Sequence, residues 1–444
     1  MSDPSIKSQT VKSMAEHDVM IAALIGGTSG MRNAGKALLP AFPLEEDDDY
    51  QRRLKASTLL PAYTETVDQM VGRVFAKPLR VESGLPPALL ADVDREKRNL
   101  HTFAHDAFLQ AFHRGVTYVL VDQQRIEVGA TLADARSGGV RPYCVLIPRT
   151  AVLGWRETDK RLTQFRFMEK VIVNDGDFGE REEDQIKVLE PGKCSIYRKQ
   201  GGKTAWSLVE SFAMGVATIP VVPIYSERTR FMCGAPALLE LAHLNVKHWR
   251  EQSDQDRSVQ FARVRMAYVS GVEDESLSIK ASADGLIPLP RGGTIGVVQG
   301  SAESVTVGQN ALTALEEQMN TAGAKLTTKS VLSMSDRQAG EEQAKMISRL
   351  AAMGEALEDS LDQVLQLIAD WAEVNEGGSV QLGVELKDLM SASKVAVKEV
   401  LEMQTQGLLS KQSAFEICQT LIPALDEKSW EDEQARIETD APTL

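Results

Sequence analysis

Three short stretches place reactive residue types at intervals that phosphate binding or catalysis uses. Residues 30–37, GMRNAGKA, set Gly30, Gly35 and Lys36 at the spacing of a phosphate-cradling loop. Such a loop follows a buried strand, opens a helix whose first amides face the phosphates, and supplies a Ser or Thr hydroxyl to Mg²⁺. Here the residue after Lys36 is Ala37, and Pro40 and Pro43 arrive too early for a stable helix. The upstream segment reads as helix, so the stretch predicts a turn carrying a surface lysine. Asp122, at the end of VTYVLVD, is then the polar end of a buried strand rather than the acidic partner of a nucleotide site. In HTFAH, His101 and His105 have the one-turn spacing of a zinc pair, but Thr102 stands where a zincin has Glu and no third ligand is near. GGTSG puts Thr28 where a nucleophile elbow needs serine. The expectation is a protein without catalysis, metal or cofactor.

Cations are sparse enough for their positions to matter. The formal charge is −14, from 49 Lys and Arg against 63 Asp and Glu. With no basic stripe, the chain is not expected to hold duplex DNA in a tight static grip, because that grip works by neutralising many phosphates. Contact at a few local cations, or passage along a repelling wall, remains compatible. The segment 325–337 stands out, with Lys325, Lys329 and Arg337 against Asp336 alone. It also carries Thr327, Thr328, Ser330, Ser333 and Ser335, small donors suited to phosphate oxygens. By composition alone it is an ordinary solvated connection; its place between two long helices gives its tip a fixed direction.

The elements around these residues follow from periodicity and punctuation. Residues 1–25 read as helix with Val11, Met14, Val19 and Ile21 on one side, followed by a turn-rich segment to the acidic run EEDDD at 45–49. A helix interrupted at Pro61 closes at Pro78, and Ala88 to Arg114 reads as another, ended by Gly115. Between about 116 and 224, short β-rich runs alternate with NDGD, EPGK and KQGGK, which predicts an antiparallel sheet packed on the helices in an α+β body. After Pro236 comes a helix apolar in its first half, through Leu238, Leu239, Leu241, Leu244 and Trp249. Its second half is polar all round and is expected to project. A Pro/Gly-rich return with two strand runs, Arg263–Val269 and Thr294–Val298, leads to a helix bearing Leu312, Leu315 and Met319. From Ala339 to Val374 an apolar seam (Met346, Leu350, Met353, Leu357, Leu361, Val364, Ile368, Trp371) predicts one helix about 54 Å long. Near the end, Ser410 is a candidate N-cap and Ser413 with Glu416 has capping-box spacing.

The four cysteines (Cys144, Cys194, Cys233, Cys418) lack paired spacing, as expected of reduced thiols in a chain made in a cytoplasm. No basic-then-apolar leader pattern opens the sequence, and no apolar run approaches the ~20 residues that span a bilayer.

The order of parts, with YTETVDQMVGRVFAKP (63–78), GVTYVLVD (115–122) and PALLELAHLNVKHWREQSDQ (236–255), resembles the portal proteins of tailed bacteriophages. GLLSKQSAFEICQTLIPALD and EDEQARIE near the end are similar to the crown helices of that family. The resemblance implies an α+β portal fold: wing with N-terminal extension (1–235), first stem helix (236–259), clip (260–300), second stem helix (301–324), channel loop (325–338), spine helix and wing return (339–384), and crown (385–444). It further implies a homo-oligomeric ring, about twelve subunits in the family's usual form, at one capsid vertex. Double-stranded DNA would be packaged and ejected through that ring. The major capsid protein, the terminase large subunit and a head–tail adaptor would be its partners, in a virion and away from membranes. Lys325, Thr327, Thr328, Lys329, Ser330 and Arg337 would face DNA, and Arg263, Arg265, Asp284 and Arg291 would lie in the docking clip. Leu238, Leu241, Trp249, Leu315 and Met319 would pack the stem and oligomer. The competing reading is a helical scaffold or adaptor that dimerises through the 346–371 seam as a two-stranded coiled coil.

Overall fold

The computed structural model describes residues 3–123, 140–176, 178–199, 205–263, 266–270, 294–298, 302–323, 336–383, 404–405, 410–415 and 430. Five helices come first: α1 (Gln9–Met14), α2 (Asp18–Ile25), α3 (Gly27–Ala34), α4 (Asp47–Ala56) and α5 (Ala62–Val74). The acidic run opens α4, with Asp47, Asp48 and Asp49 in the first turn and Arg53 and Lys55 in the last, as the helix dipole favours. Strand β1 (Arg80–Glu82) precedes α6 (Pro87–Ala91) and α7 (Leu100–Arg114). The Asn99 side chain caps α7 by accepting from the Thr102 N–H at 2.9 Å. Gly115 ends it at φ +87°, and a Cβ there would lie 2.5 Å from the Gly234 carbonyl oxygen, so glycine is needed for both conformation and space.

The strands are β2 (Val116–Gln123), β3 (Pro142–Pro148), β4 (Val152–Thr158), β5 (Arg161–Asp175), β6 (Gly179–Glu190), β7 (Lys193–Lys199), β8 (Trp206–Ala213), β9 (Val221–Tyr225), β10 (Glu227–Arg230) and β11 (Cys233–Ala235). Strands β4 to β8 form an antiparallel meander, while β3-β2-β9 make a second antiparallel sheet and β10 pairs with β11. Next come α8 (Leu239–Arg263), the paired strands β12 (Met266–Ser270) and β13 (Thr294–Val298), α9 (Ala302–Ala322) and α10 (Asp336–Ala372). Strand β14 (Ser379–Gln381) closes this region by pairing with β1, Arg80 opposite Gln381.

Strand β2 explains its own unbroken apolar run, because it is buried on both faces. Val119 and Val121 enter a core made with α2, α5, α7, the start of α8 and α10. Val116, Tyr118 and Leu120 enter a second core with Phe165, Phe167, Leu189 and Cys194 of the meander and Val11 of α1. From Leu350 to Trp371 the α10 seam lies in the first core, with Leu357, Leu361, Val364 and Leu365 fully buried. At about 1.5–3 kcal/mol per large apolar side chain, it is a principal contributor to that core.

Several expectations need correction. Residues 1–25 are two helices, and Val19 is exposed because α2 buries Met20, Ile21, Ala23 and Leu24 instead. The segment after Gly26 is helix α3 rather than turns. Ala88 to Arg114 is interrupted between α6 and α7, where Arg95 and Lys97 take positive φ. Helix α8 runs from Leu239 to Arg263, later at both ends than the 236–259 expected for a first stem helix, and α10 begins at Asp336, inside the span expected for the loop. The seam is spent inside its own chain, against β9, β14, β2 and α5. No free apolar seam remains on the described part of α10 for a two-stranded coiled coil.

Candidate functional site

Helices α8 and α9 form an antiparallel pair rising from the body. Gln255 donates through Nε2 to the Val305 carbonyl at 2.8 Å, the His248 Nε2 lies 3.3 Å from Glu316 Oε1, and Gly323 sits against Leu238 and Leu241. The contacts run in opposite senses along the two helices, which defines their direction. Gly308 leaves room for Gln255 to cross, since a Cβ there would be 2.0 Å from its Oε1. At the base, Leu238, Leu241, Trp249, Leu315 and Met319 are all buried in the main core. The residues assigned to stem packing are therefore brought together within one chain.

Toward the far end the polar half of α8 is held more than its composition suggested. Ser253 and Gln255 are buried, because Ser253 meets Ser57 (3.0 Å between hydroxyls) and Gln255 meets α9. Beyond them Arg257, Ser258 and Gln260 are exposed, as is Arg263 at the helix end. Strands β12 and β13 pair with each other in an intrachain ladder from Met266–Val298 to Ser270–Thr294. Over Ala302–Ala322 the returning helix has Glu303, Glu316 and Glu317 and no Lys or Arg.

A charge cluster that sequence reading missed locks α8 to the acidic run. Arg53 donates to both Glu45 carboxylate oxygens at 2.8 Å, and Arg257 of α8 donates to Oε1 at 3.2 Å. The Arg53 hydrogen bonds hold the buried Glu45 below the usual carboxylate range. Burial pushes Asp254 up, although Arg53 lies 3.8 Å away. The two arginines also stack on Phe42, 4.2 and 4.9 Å from its ring centre. Glu45 and Arg257 are 212 positions apart, so no local pattern announces the pair.

Lys325, Thr327, Thr328, Lys329, Ser330, Arg265, Asp284 and Arg291 lie outside the described residues; Arg337 belongs to the first turn of α10, its side chain also outside them. The loop-like motif at 30–37 covers the end of α3 and a 3₁₀ turn, and Lys36 is an exposed partner of Asp47 at 2.9 Å. Gly30 is required because α2 and α3 touch there, a Cβ meeting the Ala23 carbonyl oxygen at 2.5 Å. His101 and His105 flank the Phe75 ring at 5.5 and 5.3 Å. Asp122 pairs loosely with the half-buried Lys187 at 3.7 Å, across to β6. No cluster of metal-ligating side chains occurs among the described residues. None of their helices is long and apolar enough to cross a membrane. Ser410 does cap, accepting from the Ser413 N–H at 3.0 Å; Glu416 and Cys418 lie outside the described residues.

Residues 237–372, from α8 through α10, match the profile of a family described as a domain of unknown function (DUF4055). No curated protein matches the chain. Among solved structures, it is similar to a chain in the virion of a native gene transfer agent particle, at 11% identity and a TM-score of 0.43, covering 86% of this chain and 96% of that one. A second similarity is to a chain in the neck of a native gene transfer agent particle computed with C12 symmetry, at 10% identity, TM-score 0.40, covering 80% and 88%.

Proposed function

We propose that this chain is a portal-type subunit, a non-enzymatic ring at one capsid vertex through which double-stranded DNA enters and leaves. The observation that carries this reading is the arrangement after Pro236. An α+β body sends out α8, a two-stranded hairpin caps the far end, and antiparallel α9 returns before a long helix runs through the core. A chain so built separates a body that packs beside copies of itself from a tip that meets other proteins. The acid-only α9 suits a wall past which a polyanion slides, because deep binding wells would stall it. In this reading 260–300 is the clip, where Arg263, Arg265, Asp284 and Arg291 meet terminase and adaptor. The 325–338 segment is the channel loop, with Lys325 and Lys329 limiting lateral motion of the duplex, and 385–444 is the crown.

Electron-microscope class averages of the purified chain test this directly. The expected result is a closed ring of about twelve copies, as closed heterologous contacts generate. Monomers or dimers alone at high concentration would sink the proposal.

A further inference from the structure

Strands β5 and β6 outrun the sheet they belong to. Their ladder extends from Phe165–Leu189 to Asp175–Gly179. Strand β4 covers β5 only as far as Phe167, and β7 covers β6 only from Gln185 onward. Residues 168–176 and 178–184 therefore form a two-stranded arm with no further strand on either edge among the described residues. An isolated ribbon of this kind is marginal in water, and free edges invite a partner. The arm also displays apolar side chains where solvent would select polar ones: Phe178 at the tip is 101% exposed and Ile172 is 67% exposed. Around them the charge is lopsided, with seven acids and two bases between Glu169 and Asp184.

A matching surface lies at the other end of the same strand. A groove of about 720 Å³ runs between the start of β5, the 217–232 segment and the outer face of α10. Ile219, Val221, Pro223 and Phe231 give it an apolar floor. Exposed Arg161 and Arg228 stand in its lining, where Asp359 is the single acid among the described residues. An acidic arm with an aromatic tip is complementary to this groove in polarity and in charge.

The arm cannot fill its own groove. Thr163 lines the groove and Asp175 ends the strand, and twelve extended residues separate them by about 40 Å along a hydrogen-bonded ladder. We infer that the 168–184 arm of one chain docks Phe178 in the Arg161/Arg228 groove of a second copy of this chain. The contact joins two different surfaces, so it is head-to-tail, and its repetition closes a ring or extends a filament according to the rotation it imposes. The inference rests on the ring reading only for that closure.

The test combines Phe178→Cys with Gln363→Cys, an exposed groove position on α10, in a full-length Cys418→Ser background. After mild oxidation, a ladder of disulfide-linked chains is expected, and neither single variant gives one. In parallel, Ile172→Asp/Phe178→Asp, whose targets are both largely exposed in the monomer, should raise the concentration needed for assembly at least tenfold by mass photometry. A ladder reaching ring size supports both the contact and the ring; a ladder that stops at two chains supports the contact and overturns the ring. Rings that form with no ladder, and at unchanged concentration in the Asp variant, overturn the contact and leave the ring reading standing. A wild-type chain that stays monomeric, together with no ladder from the double-cysteine variant, overturns both.

Discussion

His113 shows what burial does to one ionisable side chain in this body. It sits at the end of α7, with Nδ1 3.3 Å from the Tyr63 hydroxyl, and burial pushes its pKa down to about 4 from 6.5. Because the folded value is the lower one, the neutral imidazole's contribution is complete above pH 6.5 and is lost as pH falls toward 4. The difference amounts to about 3 kcal/mol. Urea unfolding midpoints across that interval should therefore fall more steeply for the wild type than for His113→Gln. Equal slopes would mean that the ring takes up its proton in the fold at the same pH as in the unfolded chain. Lys36 and Gly30 mark what single residues disclosed in the sequence. Ala37 and the prolines were enough to remove the nucleotide reading, yet nothing nearby revealed that Gly30 serves a helix–helix contact, which depends on how α2 folds back.

At the level of elements, strong periodicity was legible and its breaks were not. The α10 seam, the alternating strands and the Gly115 stop all follow local patterns of apolar spacing or backbone freedom. The interruption between α6 and α7 was hidden because Leu89, Val93 and Leu100 keep helical spacing across it, and no glycine marks the positive φ at Arg95 and Lys97. Burial of Ser253 and Gln255 was likewise unreadable, since their partners on α4 and α9 are distant in sequence. The seam's role is measurable. Leu361, fully buried in the main core, should cost about 2–5 kcal/mol when replaced by alanine, with unfolding remaining a single transition. An unchanged melting temperature would show that α10 packs elsewhere. Association state should be unaffected in the folded fraction, because the seam faces inward.

For the whole molecule, the order of helices and strands was the most legible feature and the chemistry of 260–300 and 325–338 the least. The α8–α9 pair follows Pro236 and the apolar half-helix, but the Glu45–Arg53–Arg257 lock joins regions that no pattern connects. That lock ties α8 to the N-terminal helices, so a pull on the far end of α8 is shared with them. Charge reversal of both Lys325 and Lys329 is expected to leave ring mass unchanged while reducing packaged DNA or its retention. Unchanged virion yield and genome length would count against a DNA-facing role for the loop.

One buried atom offers a clock for these motions. Cys144 lies in β3 at 1% exposure, and burial pushes its thiol up to about 12, so it is protonated and unreactive while the body stays shut. Its Val93 contact, an N–H to carbonyl bond of 2.7 Å, ties β3 to the connection after α6. Any opening of the body on that side must expose the sulfur. In a Cys418→Ser chain also lacking Cys194 and Cys233, the rate of alkylation would count openings per hour, and assembly into particles should slow it.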